Sequence, residues 1–267
     1  MGQSALSSNA NRLVQREATM TILVDRAVHS IVFTEGDLVV KTIEAKDEMV
    51  KAYQLRHRVF AERLKWVPER TDRLEADVYD AWSTSIGVFN HRKDLLGLVR
   101  MTHAPVPFML ESEFSACLVG RHQVRKETDT AEITRLAIDP EIADRGLSAR
   151  LMKTVFKGMY QWCLQHEIRY TYMVVEHRLL KVVQRMGWPC RPIGEPVALP
   201  PAHVLSIGGL LDLDEFRLQA ESTRPDMLEW LTTTTPILHS AEGQSSAENN
   251  MVGYSEFVKD RQLVRAA

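Results

Sequence analysis

The chain has 267 residues, 45% hydrophobic and 25% charged, with a formal net charge of −2. This is the balance of a globular protein long enough to bury a substantial core, as one domain with extensions or as two small ones. It excludes an overall basic field for nucleic acid or anionic lipid, and no run of about eighteen apolar residues offers a membrane span. Cys117, Cys163 and Cys190 are widely spaced and form no C-x-x-C pair. That pattern predicts a reducing compartment, with neither a disulfide framework nor a zinc site. The N-terminus is rich in Ser, Asn and Gln and lacks a signal-peptide apolar region, so the expected location is the cytoplasm.

Residues 1–30 are loosely specified and read as a poorly ordered extension. A strand is predicted over 37–43, then an amphipathic helix over 44–65, on which Met49, Tyr53, Arg56, Phe60 and Leu64 share one face. Residues 67–82 form a polar, acidic connection. The runs 83–90 and 95–103 read as an antiparallel hairpin ended by Pro105 and Pro107. After an irregular stretch, a strand over 131–139 stops at Pro140. A strong helix follows over 148–167 with Ser148 as its N-cap. A strand over 168–175, a short helix over 177–186 ended by Gly187, and strands over 192–199 and 204–210 complete the pattern. The order is α/β and is similar to that of GCN5-related acyltransferases. The resemblance implies a three-layer α-β-α sandwich with a mixed, mostly antiparallel central sheet, although one fold hosts many functions. The catalytic domain is placed at 31–217. Residues 218–267, with a Thr run and a Ser/Glu/Asn-rich segment, are expected to be a partly disordered extension with at most a short helix at its start.

Four features carry chemistry. Arg56 lies on the apolar face of the first helix between Tyr53 and Phe60; a guanidinium is costly to bury alone and needs carboxylates or an anionic ligand. Glu75, Asp77 and Asp80 supply candidates, and the alternative is an arginine that snorkels to water beside a solvated acidic loop. Arg100 interrupts an otherwise apolar strand, either as a structural ion pair or as a group that fixes a substrate-binding acid. Glu132 and Arg135 are three apart, so a regular strand points them to opposite faces, whereas a bulge between them turns both toward one cleft. Arg145-Gly146-Leu147-Ser148 opens a helix, where free N–H groups suit a phosphate or a pantetheine amide, although a glycine before a helix is more often a plain turn.

Their joint spacing is far more specific than any one of them. Arg56-x-x-x-Phe60-x5-Trp66, Glu75-x-Asp77-x-x-Asp80, Arg100 and Glu132-x-x-Arg135, in the local text LRHRVFAERLKW, LEADVYD, LLGLVRM and AEITRLAI, resemble the full signature of LuxI-type acyl-homoserine-lactone synthases. All nine signature positions carry the expected residue types. The resemblance covers about residues 37–214; the departures are longer ends and Leu136 where an aromatic is common.

The resemblance implies two substrates, S-adenosylmethionine and an acyl thioester carried by acyl carrier protein or CoA, with no cofactor, no metal, no nucleic acid and no membrane. Glu132 is the candidate base, acting directly or through a water, and Arg135 braces the strand or the first helix. Arg56, Phe60 and Trp66 line the S-adenosylmethionine side, where an aromatic ring faces the sulfonium. Glu75, Asp77 and Asp80 hold either the ligand's positive groups or Arg56 and Arg100. Leu136, Arg145, Gly146 and Val175 fall to the acyl and pantetheine side. Arg150, Lys153 and Lys157 are candidate exposed contacts for an acidic carrier, or simply a solvated helix face. Members of the resembled family that prefer 3-oxo chains often carry a threonine near the end of the strand before the last helix; Met173-Val174-Val175-Glu176 has none, so the resemblance implies an unsubstituted or 3-hydroxy chain. Two rival functions remain: N-acylation of another amine from acyl-CoA, which shares the fold and pantetheine site but would not need the Trp66 and Glu75/Asp77/Asp80 set, and an inactive sensor of either ligand, against which the intact Glu132 argues.

Overall fold

A glycine sets the first hairpin. The computed structural model, which describes residues 30–118 and 122–236, pairs β1 (Val32–Glu35) with β2 (Leu38–Thr42). Only Gly36 and Asp37 remain in the turn, with Gly36 at φ +63°, the positive φ that a two-residue hairpin turn demands. β1 is absent from the sequence pattern, being partly exposed and short. The expected extension over residues 1–30 lies, apart from Ser30, outside the described residues, as does the tail beyond Pro236.

β3 (Thr84–Phe89), β4 (Leu95–His103), β5 (Thr130–Ile138), β6 (Tyr170–Glu176), β7 (Arg191–Pro192), β8 (Val197–Leu199) and β9 (Val204–Asp212) extend the hairpin into a nine-stranded sheet. Its order is β1-β2-β3-β4-β5-β6-β9-β7, with β8 also on β9. Only β5 and β6 run parallel, so the sheet is mixed and mostly antiparallel. The single strand expected over 192–199 is two short pieces, because Ile193 to Pro196 carry a glycine and a proline that break the ladder.

The helices cover both faces, as the three-layer reading requires. α1 (Lys46–Arg56) packs with Ile43, Phe89, Leu98 and Ala137 on one face. α2 (Arg145–Gln165) packs with Val40, Ile86, Val99 and Met101 on the other. Gly158 of α2 lets the helix approach the sheet; a Cβ there would lie 2.8 Å from Val40. α3 (His177–Arg185) joins the α2 side through Leu180 and Val183.

Three boundaries differ from the sequence pattern. The first helix does not run unbroken to Lys65; from His57 to Arg63 it widens into a π-helical segment, with Leu64 N–H donating to Val59 O. α2 begins at Arg145 and not at Ser148. Asp144 is its cap, accepting from Gly146 and Leu147 N–H, while the Ser148 hydroxyl turns back onto its own helix at Asp144 O. The fold also continues past residue 217. α4 (Leu213–Thr223) and α5 (Pro225–Thr232) bury Phe216, Ala220 and Leu231 in the main core. Phe216 stacks on Trp188 with centroids 4.5 Å apart, a burial worth about 1.5–3 kcal/mol. Thr34 and Thr235 then form an isolated bridge. The amphipathic pattern of these helices was too short to separate from the polar tail by periodicity. Lys157, read as exposed, is 3% exposed by side chain and pairs with Glu35 at 2.5 Å, under the Trp230 ring at 5.0 Å. Among the described residues no helix is long and apolar enough to cross a membrane.

Candidate active site

The face of the sheet under α1 gathers the charged residues. Arg56, at the last turn of α1 just before the π-helical segment, is completely buried, which rules out snorkelling. Its guanidinium donates to Glu75 Oε2 at 2.5 Å and Asp80 Oδ1 at 2.6 Å, with Asp77 Oδ2 at 3.5 Å. Arg100, equally buried on β4, donates to Asp77 Oδ1 at 2.5 Å, Asp80 Oδ1 at 2.8 Å and Thr134 Oγ1 at 2.9 Å. Arg135 completes the set, reaching Glu75 Oε1 and Asp77 Oδ2, each at 2.8 Å. Three arginines and three carboxylates thus neutralise one another.

Local structure places each member. Asp77 caps a short 3-10 turn, Val78–Ala81, accepting from Tyr79 N–H, while Asp80 reaches back to Asp77 N–H. This capping box locks the two aspartates side by side. On β5 the register against β4 slips by one residue between the Leu98–Ala137 and Arg100–Thr134 pairs. Arg135 occupies the slip at φ +52°. This is the bulge that the spacing of Glu132 and Arg135 required to turn both to one side. Without it Thr134 and Leu136 would share a face; instead Leu136 packs toward the α2 core and Ala137 returns to the α1 side.

Glu132 stands apart from the ion cluster. Its two oxygens accept from Met109 and Leu110 N–H, both at 2.7 Å. Met109 links it to the cluster, since its Sδ lies 3.0 Å from Arg100 Nη2 and 3.6 Å from Arg135 Nη1. Burial pushes the Glu132 carboxyl up to about 7, against the pull of the two amides and Arg100. Burial also acts on Glu75, but the charges of Arg56 and Arg135 outweigh it and hold that carboxyl at about 2. Asp80 is likewise lowered by Arg56 and Arg100 despite its burial, and Arg56 is held charged against desolvation by Asp80, Glu75 and Asp77.

The aromatic residues border this cluster. Phe60 and Trp66 lie 6.0 Å apart, and Arg135 sits over the Phe60 ring at 5.4 Å. Arg100 lies 5.8 Å from the Tyr79 ring. Hence Arg56, Phe60, Trp66, Glu75, Asp77, Asp80, Arg100, Glu132 and Arg135 form one connected region.

Arg145, Gly146 and Val175 lie away from it. β5 and β6 pair only as far as Ile133–Met173 and then diverge, although β5 continues to Ile138 and β6 to Glu176. Val175 is on the diverging part of β6. Arg145 lines a cavity of about 430 Å³ beyond the end of β5, together with Arg63, Ile138, Asp139, Pro140, Ile142, Ala143, Ser148 and Met152. The Met109 and Leu110 amides, Thr134 and Tyr79 also belong to the site, beyond the residues predicted from the sequence. Thr134 and Tyr79 fall inside the signature blocks and were readable there; nothing in the irregular stretch marked Met109 and Leu110.

A family model described as autoinducer synthase matches residues 41–221. An acyl-homoserine-lactone synthase of Aeromonas hydrophila is 32% identical over 166 residues, which span 61% of this chain and 79% of that protein. One from Agrobacterium fabrum is 28% identical, over 61% of this chain and 77% of its own. Among solved structures, the AHL synthase LasI superposes with a TM-score of 0.60 at 19% identity, over 76% of this chain and 98% of its own. BjaI, a CoA-dependent acyl-homoserine lactone synthase solved with SAM and isopentyl-CoA, superposes with a TM-score of 0.57 at 18% identity, over 72% and 88%.

Proposed function

This chain belongs to the autoinducer synthase family, and we propose that its cleft joins an acyl thioester to the α-amine of S-adenosylmethionine and then closes the lactone. The observation that carries the reading is the self-neutralised arginine–carboxylate cluster with one separate buried carboxylate, Glu132, beside it, accepting only backbone N–H groups.

The cluster divides the roles. Arg56 and Arg100 are 0% exposed and the side chains of Glu75 and Asp80 only 6% and 8%, so these four act as a brace. Asp77 at 19% and Arg135 at 10% reach the opening, and they take the amine and the carboxylate of the methionine moiety. One face of Phe60 is committed to Arg135, which leaves Trp66 to face the sulfonium.

Glu132, itself 0% exposed, accepts the α-ammonium proton through one water; a carboxyl with a pKa near 7 is a far better base than an ordinary one. The freed amine attacks the thioester carbonyl, the adduct passes its remaining surplus proton to the departing sulfur, which leaves as the thiol, and the amide is formed. The methionine carboxylate then displaces the sulfonium at the adjacent carbon and methylthioadenosine leaves. The sulfonium is already an activated leaving group, so orientation is the main contribution. Two substrates supply everything that reacts, and no resident cofactor is invoked. The acyl group rides on a phosphopantetheine arm, of acyl carrier protein or CoA, with an unsubstituted or 3-hydroxy chain. Because these substrates are made inside cells, the reaction is placed in the cytoplasm.

Incubation of the full chain with S-adenosylmethionine and acyl thioesters tests this. Methylthioadenosine and an acyl-homoserine lactone are expected together. Thioester consumption with other amines and no methylthioadenosine would reassign the chain to general N-acylation.

A further inference from the structure

The start of α2 is where a thioester donor's phosphates would be expected to meet free backbone N–H groups. Here they are taken. Asp144 Oδ1 accepts from Gly146 N–H at 2.7 Å and Leu147 N–H at 3.1 Å. Gly146 makes room for this contact, since a Cβ there would lie 3.2 Å from the same oxygen. The helix start therefore carries a negative charge of its own, well placed against the helix dipole. The adjoining cavity of about 430 Å³ is apolar along Ile138, Pro140, Ile142 and Met152, with Arg63 and Arg145 on its wall. Among the described residues neither arginine has an ion-pair or hydrogen-bond partner. Asp139, also on the wall, is occupied by Arg58 at 2.9 Å. The cavity sits at Ile138, on the order of 20 Å of extended strand from Glu132, so a long arm is needed to bring an acyl carbonyl to the base.

We propose that this cavity reads a single phosphate on the donor's pantetheine arm and rejects a second. Arg63 and Arg145 hold the one phosphate, and Asp144 is the specificity-determining residue that shuts the helix start to a pyrophosphate. The proposal rests on the thioester-donor reading above. CoA brings a pyrophosphate and a further phosphomonoester toward Asp144, whereas a carrier-borne arm brings one phosphodiester between two arginines. The Asp144 charge at the adjoining helix start therefore favours the carrier-borne donor.

The test uses pantetheine, 4′-phosphopantetheine and CoA as probes, with affinity for the full chain measured by titration calorimetry, so that no acyl chain need be known. 4′-Phosphopantetheine is expected to bind tightest, with pantetheine and CoA each about tenfold weaker, the scale of one partly screened charge contact. Asp144→Asn keeps an N-cap acceptor and removes the charge; Asp144→Gly releases the amides. Each should raise the affinity for CoA relative to 4′-phosphopantetheine about tenfold. Arg63→Ala with Arg145→Ala should erase the advantage of 4′-phosphopantetheine over pantetheine, and in turnover raise KM for the donor without moving KM for S-adenosylmethionine. CoA binding as tightly as 4′-phosphopantetheine in the unmodified chain overturns the proposal. So does a ratio that neither Asp144 variant shifts, or no binding of 4′-phosphopantetheine at millimolar concentration. Failure of the synthase reading shows separately, as an absence of methylthioadenosine with the affinity order intact.

Discussion

Two sets of buried carboxylates share one face of the sheet and are tuned in opposite directions. Glu75 and Asp80 are surrounded by guanidinium groups, which overcome burial and keep them ionised. Glu132 meets only two backbone N–H groups at close range, and burial pushes it up to about 7. Both environments are desolvated, so the difference comes from formal charge nearby. Peptide dipoles soften the cost of a buried anion, whereas full cations reverse it. The cluster can therefore be rigid and permanently charged while its neighbour keeps an exchangeable proton at neutral pH.

The sharpest way to break this contrast is Glu132→Gln. It removes the proton acceptor while leaving the cluster's six charges in place, and kcat for methylthioadenosine release should fall by about 10²–10⁴-fold. A loss under tenfold would remove Glu132 from the role of base. Arg100→Met attacks the other side. It leaves the cluster's three carboxylates to share Arg56 and Arg135 alone and should cost about 3–5 kcal/mol in denaturant unfolding, a large share of a typical domain's stability. An unchanged midpoint would show that the cluster is dispensable.

pH separates the two sets by sign. Glu75 has a folded pKa of about 2 against an ordinary 4.5. It therefore contributes stability above pH 4.5 that is lost as pH falls through 2, in total about 3 kcal/mol. The stability difference between the unmodified chain and Glu75→Gln should shrink along that descent. Glu132 does the reverse: its raised pKa favours the folded state below 4.5, and the advantage is lost as pH rises through 7. In kinetics the same group should give kcat/KM a rising limb centred near pH 7, with about tenfold less activity for each unit below it. A limb near 4.5 would mean that Glu132 titrates like an exposed carboxyl. The smallest effect serves as the control. Lys65→Ala removes an exposed pair with Glu69 and should change stability by no more than about 0.5 kcal/mol.

Much of this site was legible in the sequence because its elements announce themselves locally. An arginine on an apolar helix face, another inside an apolar strand and three acids at fixed spacing each violate the ordinary partition of charge, and the structure resolves the violations against one another. The alternatives left open by those residues close in the same way: Arg56 is buried and not snorkelling, and Glu132 and Arg135 face one side because of a bulge. Less legible were features made by short or irregular segments. The burial of Lys157 beneath Trp230 depends on a neighbour remote in sequence, whereas the π-helical widening after Arg56 and the cap at Asp144 in place of Ser148 are local choices that hydrophobic period does not mark. Ser148 lost the cap to a residue with equal propensity four positions earlier, which no propensity scale distinguishes.

The amino-acid order by itself determined the mixed α/β pattern, the nine charged and aromatic positions and the chemistry that their types allow, because hydrophobic period and misplaced charge are local properties. Tertiary structure alone decided which acids are held ionised by guanidinium groups and which one meets only backbone N–H groups at close range. It also decided that the helix start near Gly146 is already occupied, and that the segment after residue 217 belongs to the core. Those outcomes turn on how far each group is removed from water and on which distant charges and dipoles reach it, quantities that exist only once the chain has folded.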